Sequence, residues 1–84
     1  MISMSEAAYK RRVKAKFEAE GWVVIHLIQT NMNAIADSLL MKKGCESFFI
    51  EFKAKGEKPD PLQLYRHREL LEKTGVETKI FTEP

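Results

Sequence analysis

Apolar and polar positions along this 84-residue chain follow two different periods, and the switches between them mark out its elements. From Ser5 to Glu20, Tyr9, Val13 and Phe17 recur every fourth residue, the spacing that lines side chains along one helix face. Gly21 supplies the stop. Trp22 to Gln29 is β-branched and apolar on both faces, which predicts a well-buried strand. Thr30 to Ala34, with Asn31 and Asn33, is turn chemistry. Asp37 to Lys42 and Ser47 to Ala54 predict two further strands, joined as a hairpin through Lys43-Gly44-Cys45-Glu46. After a loop from Lys55 to Pro59, Asp60-Pro61 opens a second helix, with aspartate as N-cap and proline at the first helical position. That helix runs to Thr74 and stops at Gly75, and Val76 to Thr82 predicts a last short strand. The order α-β-β-β-α-β predicts an α/β domain, a small mixed sheet with helices packed on it. No repeat, low-complexity tract or linker divides the chain, so residues 1–84 are expected to form one domain.

The strand pattern is most informative at Ser47-Phe-Phe-Ile-Glu-Phe-Lys-Ala54. Side chains alternate along a strand, so Phe48, Ile50, Phe52 and Ala54 share one face while Phe49, Glu51 and Lys53 share the other. An acid and a base thus stand about 7 Å apart along a largely apolar strand. Burying them is costly unless each is paired or binds a metal. If the second and third strands are antiparallel neighbours, Asp37 lies across from the end that carries Glu51 and Lys53. Two carboxylates and a main-chain carbonyl, that of Phe52, make an all-oxygen site for a hard cation such as Mg²⁺. A lysine beside it holds or deprotonates a water for attack on a phosphodiester and stabilises the developing charge. Glu77-Thr-Lys79 repeats the Glu-x-Lys spacing, but the acids before it, Asp60, Glu69 and Glu72, all fall in the second helix. It is expected to be an ordinary surface pair.

Composition narrows the alternatives. Apolar residues at 44% and charged residues at 31% match a folded domain and not a disordered one. The apolar run Trp22 to Ile28 is broken by His26 and is far short of the roughly 20 residues that span a bilayer, so no membrane role is expected. No charged-then-apolar leader opens the sequence, and a protein of the cytoplasm, in a bacterium or a phage-infected host, is expected. Cys45 is the only cysteine, which excludes an internal disulfide and a cysteine-based zinc site. At this size a lone core contributes few kcal/mol, so pairing with a second chain is expected. The net charge of +2 is uneven: Lys10, Arg11, Arg12, Lys14 and Lys16 fall within seven residues, and Lys42, Lys43, Lys53, Lys55 and Lys58 follow. From Pro59 onward five acids face four bases, a net of −1. The positive charge in the first two-thirds suits a phosphate backbone, although such a run on a helix is commonly a solvated face.

Asp37, a hairpin, Glu51-Phe-Lys53 and then Gln63 early in the following helix resemble the PD-(D/E)xK nuclease superfamily. Within it they are similar to the VRR-Nuc (virus-type replication-repair nuclease) family. The resemblance extends over nearly the whole chain: a first helix with an acid, Gly21-Trp22 as the entry to the first strand, the Asp37 strand, Phe48-Phe-Ile-Glu-Phe-Lys53, and Pro61-Leu-Gln-Leu-Tyr-Arg-His67. It departs at the first acid, where Ala34-Ile35-Ala36-Asp37 stands in place of the family's Gly-x-Pro-Asp. The resemblance implies a restriction-endonuclease-like core and an Mg²⁺- or Mn²⁺-dependent endodeoxyribonuclease. Asp37 and Glu51 would bind the ion, Lys53 would act around the attacking water, and no small-molecule cofactor is needed. It also implies branched DNA as substrate, with a homodimer resolving four-way (Holliday) junctions in DNA repair. A flap- or nick-directed nuclease, an inactive nucleic-acid-binding module of the same fold, and a protein-interaction module are the alternatives.

The supporting residues each carry two readings. Glu6 falls three, seven and eleven residues before Tyr9, Val13 and Phe17, which places it on the sheet-facing side of the first helix. There it either reaches the metal, as the family's N-terminal acid does, or closes a Ser3-x-x-Glu6 capping box. Gln63 lies on one stripe with His67, Leu70 and Thr74, where the family places a glutamine that orients the lysine. Asp60-x-x-Gln63 is equally a capping box. His26 is expected to be structural, and His67 inward and hydrogen-bonded. Ser38 and Cys45 lack a base partner for nucleophilic catalysis. Lys10, Arg11, Lys14 and Lys55 are the candidate contacts to the DNA backbone, since phosphate binding needs cations without base readout.

Overall fold

A computed structural model describes residues 6–84 of the chain. They form α1 (Glu6–Ala19), β1 (Val23–His26), β2 (Ser38–Met41), β3 (Phe48–Lys53), α2 (Pro61–Thr74) and β4 (Thr78–Thr82). The Ser3-x-x-Glu6 capping box lies partly outside the described residues. The strands make one mixed sheet in the order β1-β2-β3-β4. β1 to β3 pair antiparallel, and β4 runs parallel to β3. A parallel neighbour needs a long crossover, which α2 supplies. Among the described residues no helix is long and apolar enough to cross a membrane.

Strand alternation assigns the two faces of the sheet. Phe48, Ile50 and Phe52 turn toward α1 and are buried with Leu40 and Tyr9, while Val13, Phe17, Trp22, Val24 and Phe81 pack around them. Phe17 joins this core, meeting Trp22, Phe48 and Phe81 edge-on at 5.8–6.2 Å between ring centroids. The opposite face carries Phe49, Glu51 and Lys53, and α2 reaches it through Gln63. The apolar core therefore sits under α1, and the polar site sits under α2.

The well-buried first strand is corrected. β1 covers only Val23–His26 and forms one edge of the sheet, with Val23 and Ile25 exposed. Within β1 Val24 alone packs on the core, because among the described residues the other face at this edge is left exposed. His26, expected to be structural, is exposed and stands opposite Ser38. The second helix matches its sequence signals closely. The Asp60 side chain accepts from the Gln63 N–H at 2.9 Å, and the Asp60 N–H donates back to Gln63 Oε1 at 3.1 Å. At the far end Gly75 takes φ 76° and donates its N–H to the Leu71 carbonyl.

Candidate functional site

Register places the first carboxylate. Ser38 pairs with Ile50, so Asp37, one residue earlier, stands across from Glu51. Three hydrogen bonds pin it there. Its N–H donates to the Ile50 carbonyl (3.0 Å), its carbonyl accepts from Leu27 N–H (2.9 Å), and its Oδ2 accepts from Phe52 N–H (2.7 Å). Residues 49 and 53 use their backbone groups on the residues flanking β4, through Phe49 N–H to the Glu77 carbonyl and Glu83 N–H to the Lys53 carbonyl. Backbone direction alternates along a strand, so the N–H and carbonyl of Phe52 turn to the other side, toward Asp37.

The turn that delivers Asp37 is strained. Ala34 has φ 59°, the one positive φ outside glycine among the described residues. The left-handed region crowds an L side chain at roughly 1–2 kcal/mol per residue. Ala36 is buried at 1% exposure, and Arg66 on α2 donates to the Asn33 carbonyl (3.1 Å), so packing and one hydrogen bond hold the turn closed. Ala34→Gly is expected to raise stability by about 0.5–1 kcal/mol, the relief of strain less the added freedom of the unfolded chain. A denaturant midpoint that stays or falls would show the turn to be unstrained.

Glu51 is the second carboxylate, buried at 4% exposure. Its Oε1 accepts from Gln63 Nε2 at 2.8 Å and lies 4.0 Å from Lys53 Nζ. Its Oε2 is buried without a hydrogen-bond partner. Burial, first, and then the charge of Asp37 push its carboxyl up to about 7, against the pull of Lys53 and Lys10. An acid buried opposite a second acid resists ionising, and a bound cation would relieve both costs. The donors in reach are two carboxylates and a carbonyl, all oxygen, which suits Mg²⁺ or Mn²⁺ and not a soft metal.

The remaining expectations divide. Gln63 sits at the site, but its amide donates to Glu51, and its Oε1 accepts from the Asp60 N–H and not from Lys53. The expected support of the lysine is therefore corrected: Oε1 is taken by the cap, which leaves Nε2 to reach the nearest buried acceptor. Glu6 is likewise corrected. It is exposed and pairs with Lys10 at 3.3 Å, one helical turn on, instead of turning to the sheet. Among the described residues no group of three or more His, Cys, Asp or Glu side chains gathers. Lys10 and Lys14 lie 5.9 and 5.7 Å from the Phe52 ring centroid. Burial and the neighbouring Lys10 hold the Lys14 ammonium below its ordinary range, with Asp37 and Glu18 opposing. Arg11 and Lys55 are exposed. Lys79–Glu77 is an exposed pair at 4.0 Å, as expected.

His67 is buried as expected, but its Nε2 has no hydrogen-bond partner. Burial, and then the charge of Lys53, hold the ring's pKa below its ordinary value. Arg66, which anchors the Asn33 turn, was not foreseen, since a helix residue gives no local sign of a partner 33 positions away. A scan against protein-family models finds no match, and comparisons with curated proteins and with solved structures return no relative.

Proposed function

We propose that this chain is a Mg²⁺- or Mn²⁺-dependent endodeoxyribonuclease with a restriction-endonuclease-like core, of the VRR-Nuc kind its sequence resembles. The observation that carries the reading is the Asp37–Glu51 pair: two facing carboxyls, one pushed up to about 7, beside Lys53. A Glu51–Lys53 ion pair alone is not helped by a second acid facing Glu51, which raises the cost of burying its charge. Asp37, Glu51 and the Phe52 carbonyl would hold the ion, which when bound supplies positive charge to the phosphate and to an attacking water.

The chain's own residues do the rest. Gln63 fixes the plane of the Glu51 carboxylate by one hydrogen bond and leaves Oε2 free. Lys53, whose side chain is 12% exposed, brings a donor to the edge of the site, where it orients water and offsets charge building on the phosphate. Lys10 and Lys14 extend the positive field along α1 for neighbouring phosphates. A symmetric homodimer would place two such sites on two strands of a four-way junction.

Cleavage of labelled four-way junction, flap and linear duplex DNA with Mg²⁺ or Mn²⁺, beside Lys53→Ala, tests this. Paired nicks in the junction by wild type alone are expected. Cutting of flaps instead would keep the site and overturn the junction assignment. DNA binding without cleavage would mark an inactive binding module.

A further inference from the structure

A cleft of about 450 Å³ opens between α1 and β4. Tyr9, Phe17 and Phe81 give it an aromatic floor, and Arg12 and Lys16 line it one helical turn apart. Phe81 is half-buried, with its ring packed edge-on against Phe17 at 6.0 Å and Phe52 at 6.1 Å. Both cations are exposed, and neither makes an ion pair among the described residues, in contrast to Lys10 with Glu6 and Lys73 with Glu69. Like charges at this spacing weaken a helix instead of supporting it.

We infer that this cleft binds an unpaired nucleotide of single-stranded DNA, with the base against Phe81 and Phe17 and the phosphate on Arg12 and Lys16. The ligand must offer a flat apolar face and a negative charge together. A nucleotide offers both, and every base has a π-face. A duplex keeps its base faces stacked on each other, so it presents charge alone. An apolar protein segment would fill the floor and leave the guanidinium and ammonium desolvated without a partner. Glu20, which lines the same cleft one turn beyond Lys16, repels phosphate and sets the direction, with the backbone toward Arg12.

The inference goes beyond the metal site, and EDTA keeps the two separable. Fluorescence anisotropy of labelled twelve-residue oligo(dT) and of a twelve-pair duplex is measured with EDTA for wild type, Phe81→Leu and Arg12→Glu. Both variants are expected to lose about tenfold affinity for the single strand, and Phe81→Leu to bind duplex as wild type does. Wild type is also expected to quench a 2-aminopurine placed in the strand, and Phe81→Leu to quench it less. Arg12 is exposed, so its variant folds even where the Phe81 variant does not. Unchanged single-strand binding in both variants would overturn the inference. Equal losses for single strand and duplex in Phe81→Leu would do the same, as would self-association that Phe81→Leu abolishes while DNA binding persists.

Discussion

Glu51→Gln is expected to abolish metal-dependent cleavage, on the order of a thousandfold, while making the metal-free protein more stable at pH 8. The amide keeps the shape of the carboxylate and still accepts from Gln63 Nε2, so the packing under α2 survives. What it loses is the negative charge that a hard cation requires. That same charge is a liability in the metal-free fold, because it is buried and faces Asp37. Lys53→Ala also stops turnover, but with the opposite effect on stability, since it strips Glu51 of its nearest cation. The two substitutions together separate a catalytic arrangement from a structural ion pair. A pair kept for stability loses stability from either side. Cleavage rates and thermal midpoints of both variants are the check, and a Glu51→Gln protein that melts below wild type at pH 8 would contradict the account.

The metal-free protein is also expected to lose stability as pH rises from about 4.5 to about 7. Glu51 holds its proton in the folded state up to about 7, whereas the unfolded chain releases it near its ordinary 4.5. The stabilisation is therefore complete below the unfolded value and lost by the folded one. The difference of about 2.5 pKa units corresponds to something on the order of 3 kcal/mol. His67 works against it: its lowered value makes the folded state release a proton that the unfolded chain keeps, so that contribution grows as pH rises toward its ordinary value of 6.5. The larger Glu51 effect sets the sign. Thermal midpoints are expected to fall by on the order of 10 °C across this range for wild type, and not to fall for Glu51→Gln. Mn²⁺ added at pH 8 restores wild type by mass action on the folded state. A profile that Glu51→Gln leaves unaltered would place the titration elsewhere.

What was legible in the sequence was local. The α2 cap needs only Asp60 and Gln63, three residues apart, and both of its hydrogen bonds form. The alternation in β3 already separates Phe48, Ile50 and Phe52 from Glu51 and Lys53, so the faces follow from spacing alone. The pairing of Asp37 with Glu51 followed once the strands were neighbours, since register is set by the intervening turn. Strand order was not legible. Trp22 to Gln29 looks the same whether it lies inside a sheet or at its edge, and only the assembled sheet leaves Val23 exposed. Gln63 shows why a side chain's partner is harder to read than its face. Its stripe is visible in sequence, but the choice of Glu51 over Lys53 depends on which end of one amide the cap has already taken. The left-handed residue was hidden for another reason: glycine would have announced it, and Ala34 does not.

Calorimetric titration of Mn²⁺ at pH 7 decides whether Asp37 and Glu51 form one cation site. One saturable site per chain is expected, with proton release as the cation displaces the proton that Glu51 holds. That release appears as a dependence of the heat on the ionisation enthalpy of the buffer. Binding should vanish in Asp37→Asn and in Glu51→Gln and persist in Lys53→Ala. Absence of binding to wild type, or binding that neither carboxylate substitution disturbs, would contradict the account.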